Sequence, residues 1–134
     1  MMRSRWLILV WILGILFPMA WLGKYSAGFR RAFDAIFAPT WMHILMHALL
    51  YTVLVVLLLV MFRWQASWKT AARALSIVLV VGCAQEGLQS LGAGIFYASA
   101  ALFDLGVDLA GGIGGILIGV WLARIHLHPR VMLP

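Results

Sequence analysis

The chain has 134 residues, of which 65% are hydrophobic and 10% are charged. A soluble domain is nearer half apolar and about a quarter charged, so this composition excludes a small soluble protein and predicts one membrane-embedded domain. The net charge of +6 comes from basic residues that flank apolar runs, which is typical of membrane proteins, and no nucleic acid partner is expected. Cys83 is the single cysteine, which excludes an internal disulfide and a cysteine metal cluster.

Four apolar stretches are each close to the ~20 residues that a helix needs to cross a bilayer. The predicted spans cover about residues 6–22, 41–62, 74–91 and 103–123. Pro18 is expected to kink the outer end of the first span. The same stretch could be a signal peptide, but it has no clear A-x-A cleavage site, so a membrane helix is the preferred interpretation. The uncharged residues 92–102 are expected to form an apolar link near the outer surface.

A further helix is predicted between the first two spans, over about residues 27–38. Phe29, Phe33 and Phe37 recur at every fourth position there, which is typical of an amphipathic helix and suits the membrane surface. We therefore predict an all-α, polytopic membrane protein. Its architecture is a four-transmembrane-helix bundle with a short interfacial amphipathic helix between spans one and two.

The basic residues predict the orientation of the chain. With four spans, both termini and the link between spans two and three share one side of the membrane. That side holds Arg3, Arg5, Arg63, Lys69, Arg73, Arg124 and Arg130, and the other side holds Lys24, Arg30 and Arg31. By the positive-inside rule the N- and C-termini are cytoplasmic, and we expect a multi-pass protein of the bacterial inner membrane.

Ionisable side chains lie within the predicted spans. Such groups cost about 3 kcal/mol each on insertion scales, so they usually face protein, water or a ligand. At the rise of an α-helix, His47, Glu86 and Asp108 all come to lie about 8–9 Å below the outer boundary of the bilayer. These residues and their neighbours are predicted to line an outward-facing polar pocket: His43, His47, Tyr51, Glu86, Gln89, Asp104 and Asp108.

Glycines continue the face of the last span that carries Asp104 and Asp108. Gly111, Gly115 and Gly119 follow at every fourth position. A G-x-x-x-G spacing lets the backbone of another helix approach closely. We therefore predict tight helix packing along these glycines, with the polar pocket opening above them.

The pocket residues admit several interpretations. His43 and His47 could hold a metal ion together with a nearby carboxylate, or they could be axial ligands of a haem or chlorophyll pigment. Hydrogen bonds from His47 to Glu86 and from Asp104 to Gln89 are preferred, because polar groups that face a bundle interior usually pair with each other. No metal and no other cofactor is therefore predicted.

The order and spacing of these residues resemble the signature of the VanZ-like membrane proteins over roughly residues 41–119. The resemblance rests on Glu86-x-x-Gln89, on the pattern D-x-x-x-D-x-x-G-x-x-x-G from Asp104 to Gly115, and on His47 followed four residues later by Tyr51. Three features differ from that signature. Asp108 stands where the family has asparagine, and the outer link carries Tyr97 and Ser99 but no arginine. The basic residue that the family usually has shortly before the histidine is also absent, since His43 and Ile44 occupy that place.

The resemblance implies a small bacterial envelope protein, in a family linked to glycopeptide (teicoplanin) resistance. We expect the pocket to bind a lipid-linked or other cell-envelope molecule, surrounded by membrane lipid. Catalysis is the less favoured interpretation; Glu86 and His47 would be its acid–base pair, with Asp104 beside them. The alternatives are a non-catalytic accessory subunit of a larger respiratory or photosynthetic membrane complex, and a transporter or channel unit built from oligomers.

Overall fold

The computed structural model describes residues 2–17, 22, 24–37, 39–63 and 67–127, without the side chains of residues 2–5, 126 and 127. Its helices are α1 (Met2–Leu16), α2 (Ala27–Phe37), α3 (Thr40–Met61), α4 (Trp68–Ala93) and α5 (Ala98–Leu127). The predicted all-α class is confirmed. The apolar runs of the sequence form the longest helices, and α4 and α5 carry a few charged residues within or beside those runs.

Three helices are long and apolar enough to cross a membrane: α3, α4 and the Ala98–Ile125 part of α5. They correspond to the second, third and fourth predicted spans. The apolar part of α1, Trp6–Leu16, is shorter than a bilayer crossing requires. The outer end of the first predicted span, with the kink expected at Pro18, and the basic tail beyond residue 127 lie outside the described residues. The described chain is therefore a membrane protein with three candidate spans.

The connection between α4 and α5 is much shorter than predicted. Gly94 caps α4 with a φ of 74°, a left-handed conformation that glycine adopts at little steric cost. Helix α5 then begins at Ala98, so most of the link expected over residues 92–102 is helical. Ala98, Ala100 and Ala101 favour helix, and a boundary drawn from the glycines and the absence of charge overlooked that preference.

Helices α3 and α5 run parallel and pack along the glycine face of α5. A Cβ atom built on Gly111 would collide with the backbone of Ala48, and one on Gly115 would lie 2.7 Å from the carbonyl oxygen of Thr52. Gly119 continues the contact two turns beyond Gly111. Larger side chains at these positions would push the two helices apart, so the glycines set how closely they approach.

Helix α4 runs antiparallel to α5. Gly82 of α4 faces Asp108, whereas Val78, one turn earlier in α4, faces Gly112, one turn later in α5. The three long helices enclose a core of aliphatic side chains around one aromatic ring. Its buried members from α3 and α4 are Tyr51, Leu54, Val55, Leu58, Ala74, Val78 and Val81.

Helix α1 packs against α3 and α4. Ile8 and Ile15, two turns apart on one face of α1, are buried in the same core. The indole Nε1 of Trp11, between them, donates a hydrogen bond to the backbone oxygen of Leu50 at 3.0 Å. This contact holds α1 beside the middle of α3.

The outer surface of the three long helices is apolar. Large side chains are exposed along them, among others Val80, Leu91, Leu102, Leu117 and Trp121. A helix that is hydrophobic on all sides is either buried in a large protein or surrounded by lipid. In a bundle this small, the exposed apolar surface is that of a protein in contact with lipid.

Helix α2 is a short helix that contacts α3. The rings of Phe29 and Phe33 have centroids 5.9 Å apart, and those of Phe33 and Phe37 are 4.5 Å apart. Arg30 and Asp34 form an exposed ion pair at 3.7 Å. The aromatic residues thus share one face of α2, as the four-residue spacing predicts.

Candidate functional site

The most deeply buried polar contact joins α3 to α5. Nδ1 of His47 lies 2.8 Å from Oδ1 of Asp108, and the two side chains are 6% and 1% exposed. Gly82 of α4 leaves room for this carboxyl group, because a Cβ there would lie 2.9 Å from Oδ2 of Asp108. Buried polar groups are costly unless they are hydrogen-bonded, so this pair favours one register of α3 against α5.

A second histidine–aspartate contact lies one turn closer to the start of both helices. Nε2 of His43 is 3.1 Å from Oδ1 of Asp104, and the side chains are 40% and 12% exposed. The rings of His43 and His47 have centroids 4.5 Å apart. Since α3 and α5 are parallel and each presents its polar residues four apart, the same pairing repeats along the interface.

Tyr51 extends the polar row towards α4. Its hydroxyl donates a hydrogen bond of 2.8 Å to Oε1 of Gln85, and both residues are buried. Gln85 was not among the predicted site residues. Its position beside Glu86, and its spacing of four residues from Gln89 on the same helix, are the signals that would have identified it.

Glu86 stands apart from these pairs. It is 9% exposed, and its Oε1 atom has no hydrogen-bond partner among the described residues. The expected bonds from His47 to Glu86 and from Asp104 to Gln89 are not the ones formed. Both histidines pair with aspartates instead, because the parallel packing of α3 and α5 puts each histidine opposite an acidic residue.

A cavity of about 700 Å³ opens beside these contacts. Ligand pockets typically have volumes of about 300–1,000 Å³. Most of the predicted pocket residues line it, namely His43, His47, Glu86, Gln89 and Asp104. Tyr51 and Asp108 are instead almost completely buried in the protein, where they hold the residues of the cavity wall.

The other wall of the cavity is largely apolar. Its apolar side chains come from the end of α1 and the residue after it, from α2 and from the first half of α3: Ile15, Leu16, Phe17, Phe33, Phe37, Met46 and Leu50. The cavity is therefore lined by polar groups mainly from the three long helices and by apolar groups mainly from α1, α2 and the first half of α3, although the charged Asp34 of α2 also lines it. Such a lining suits a molecule with a polar head and an apolar chain.

Lys24 also lines the cavity and was not predicted as a site residue. Its Nζ donates a hydrogen bond of 2.9 Å to the backbone oxygen of Gly92, near the end of α4. The sequence gives no signal for this position, because it depends on the path of the chain between α1 and α2. Lys24 brings an amino group to a wall whose other polar residues carry mainly carboxyl, amide and imidazole groups.

Part of the polar wall has the composition of a metal site. One ligand atom each from His43, His47 and Asp104 lie within 4.8 Å of one another. Two imidazoles and a carboxylate are a ligand set that divalent transition metals accept. The wall can therefore offer hydrogen-bond acceptors, a cation at Lys24 and a group of metal-binding atoms.

Comparison with known proteins identifies no relative of this chain. No protein-family model matches it, and neither a curated protein nor a solved structure matches it significantly. Its function is therefore inferred from the geometry of the cavity and its surroundings.

Proposed function

We propose that the chain is a VanZ-like protein that binds an amphiphilic cell-envelope molecule, a lipid or a lipid-linked compound, in this cavity. The observation that carries the proposal is a cavity lined by both polar and apolar side chains, beside helices that are long enough to cross a membrane. A hydrocarbon chain would lie against Phe33, Phe37 and Leu16. The headgroup would lie against the polar wall.

The polar wall favours a particular headgroup chemistry. Carboxyl oxygens accept hydrogen bonds, so Glu86 and Asp104 would bind hydroxyl or amino groups. Lys24 would bind a phosphate, since a charged donor and acceptor form stronger hydrogen bonds than neutral groups do. The expected ligand is therefore a phosphate-linked headgroup with several hydroxyl or amino groups, attached to a hydrocarbon chain.

The proposal includes a topology for the bundle. Parallel α3 and α5 with antiparallel α4 are what three successive crossings require. We place α1 with the residues up to 22 as a further crossing, and α2 as an interfacial helix on the outer surface. The excess of basic residues on the side of the termini supports cytoplasmic termini in the bacterial inner membrane. The cavity then faces the outer leaflet.

The test is to identify lipids that remain bound when the protein is extracted in native lipid discs and analysed by mass spectrometry. We expect about one phosphate-containing amphiphile to remain bound per chain, because the cavity has the size of a typical ligand pocket. Lys24→Met and Glu86→Gln should each reduce its occupancy severalfold. Cys83→Ser changes an exposed residue of α4 and is the matched control.

Two results would contradict the proposal. One is a lipid content equal to that of the bulk membrane in the wild-type protein and in both cavity variants. The other is co-migration of the chain with a large assembly on native gels, which would favour the alternative of an accessory subunit in a larger membrane complex. A lone small species that retains its amphiphile supports ligand binding.

A further inference from the structure

We propose that His43, His47 and Asp104 form a binding site for a divalent transition-metal ion, with Zn²⁺ as the best match. The proposal goes beyond amphiphile binding and does not depend on it. The first observation is the closeness of the ligand atoms, which lie within 4.8 Å of one another. These residues come from the facing surfaces of α3 and α5, so packed helices rather than a loop hold them in place.

The distance between the first two ligands fits a zinc ion. With zinc–nitrogen and zinc–oxygen distances of about 2.0–2.1 Å, two ligand atoms at corners of a tetrahedron lie about 3.3 Å apart. Nε2 of His43 and Oδ1 of Asp104 are 3.1 Å apart. Binding the ion would therefore replace this hydrogen bond with two bonds to the metal, and the His43 and Asp104 side chains would turn to direct their lone pairs at it. Histidines at positions i and i+4 of one helix are a recurrent zinc-binding arrangement.

Asp108 prepares His47 for metal binding. Its Oδ1 atom lies 2.8 Å from Nδ1 of His47; a neutral ring that donates from Nδ1 to this carboxylate has its lone pair on Nε2. Metal-binding histidines commonly donate their other N–H to a carboxylate, which fixes the ring and makes it a stronger ligand. His47 and Asp108 form such a pair, and Asp108 acts here as a positioning residue.

Glu86 is an independent indication that a ligand belongs here. It is 9% exposed and lines the same cavity, yet its Oε1 atom has no hydrogen-bond partner among the described residues. Buried carboxylates are normally paired or bound to a metal. Glu86 from α4 is not among the three residues whose ligand atoms lie within 4.8 Å of one another, so its carboxyl group would act on a water molecule bound to the ion rather than on the ion itself.

The experiment measures Zn²⁺ binding to the purified, delipidated full chain, produced with a cleavable tag that contains no histidine. The protein is stripped with a chelator and titrated with Zn²⁺ in competition with a chromophoric chelator. We expect saturable binding of about one ion per chain. His43→Gln and Asp104→Asn should each lower the affinity at least ~10-fold, and Asp108→Asn should lower it by about 10–100-fold.

The tail histidines provide the matched control. The sequence has four histidines, and His126 and His128 lie near the C-terminus. The double variant His126→Gln/His128→Gln should bind Zn²⁺ as the wild type does. The proposal is overturned if the tail variant abolishes binding, if His43→Gln and Asp104→Asn leave it unchanged, or if the wild type binds no Zn²⁺.

A second readout keeps the test independent of how well each variant folds. Co²⁺ bound to the wild-type protein should give the strong visible absorption of a four- or five-coordinate nitrogen and oxygen site. A weak spectrum like that of hydrated Co²⁺ would overturn the assignment. Because lipid is absent from these measurements, failure of the metal site and failure of amphiphile binding are separate outcomes.

Discussion

The two ends of the α3–α5 interface use one geometry for opposite purposes. Towards the end of α5, the absence of a side chain at Gly115 lets the backbone of α5 approach the backbone of α3 at Thr52. Towards its beginning, the same face of α5 carries aspartates, and the same face of α3 carries histidines. The helix direction and the four-residue repeat do not change between the two ends. The side chain at every fourth position decides whether the helices touch or whether a cavity opens.

The comparison teaches how a small bundle can hold polar groups in an apolar environment. The glycine end fixes the distance and direction of α3 and α5 without any charge. The polar end can then place His47 against Asp108 with little freedom to adjust. A cavity with buried acids is tolerated at one end because close backbone packing stabilises the other end. The following substitutions test whether the two ends contribute in this way.

The largest effect is expected at the buried pair of the polar end. His47→Leu removes the partner of Asp108 and should lower the free energy of unfolding by about 3 kcal/mol or more, because a buried carboxyl group loses its partner. The measurement is denaturant-induced unfolding in detergent. The double variant His47→Leu/Asp108→Leu should recover much of the loss. A double variant less stable than the single one would show that the pair is not the source of the effect.

A similar but smaller loss is expected at the glycine end. Gly111→Leu would force a side chain into the backbone of Ala48, and overpacking of this kind costs about 1–3 kcal/mol. Gly106→Leu on the same helix is the control, because a Cβ on Gly106 meets nothing within 4 Å. Thermal unfolding should separate the two variants clearly. Equal melting temperatures for both would show that close α3–α5 contact is not required.

Tyr51→Phe should have an intermediate effect. It removes the hydroxyl that donates to Gln85 and leaves a buried amide oxygen without its partner, at a cost of about 1–3 kcal/mol. Tyr25→Phe is the control, since Tyr25 is 88% exposed. Both variants are compared by denaturant-induced unfolding. If Tyr51→Phe is as stable as the control, Gln85 finds another partner and the polar row ends at His47.

The smallest effect is expected where the two ends meet. The hydroxyl of Thr52 donates a 2.8 Å hydrogen bond to the backbone oxygen of Gly111. Thr52→Val keeps the size of the side chain and removes this bond, which should cost about 0.6 kcal/mol, the average for interhelical hydrogen bonds in a membrane protein. The stability loss of the double variant Thr52→Val/Gly111→Leu should differ from the sum of the two single losses, because both changes alter one contact. Additive losses would mean that the hydroxyl acts independently of the close approach.

The sequence predicted the helical class and most of the polar residues from hydrophobic periodicity and from the cost of charges in hydrocarbon. It located α3 closely, because Pro39 and the basic residue Arg63 bracket a long, mainly apolar run that contains no Asp, Glu, Lys or Arg. It misplaced the start of α5, because an uncharged alanine- and glycine-containing segment is compatible with either a link or a helix. The extent of this link depends on where α4 ends, at the cap formed by Gly94. The local sequence allows a cap there but does not require one.

What the sequence determined by itself is which residues are too costly to face lipid and which faces of each helix they share. What only the tertiary structure decided is their pairing. His47 meets Asp108 rather than Glu86, and Lys24 reaches the cavity from a connecting segment. The periodicity of the sequence determines in which direction around its own helix axis each side chain points. The pairing of side chains depends in addition on the separation and the relative shift of two helices. Here the contacts of Gly111 and Gly115 with α3 set that separation and shift.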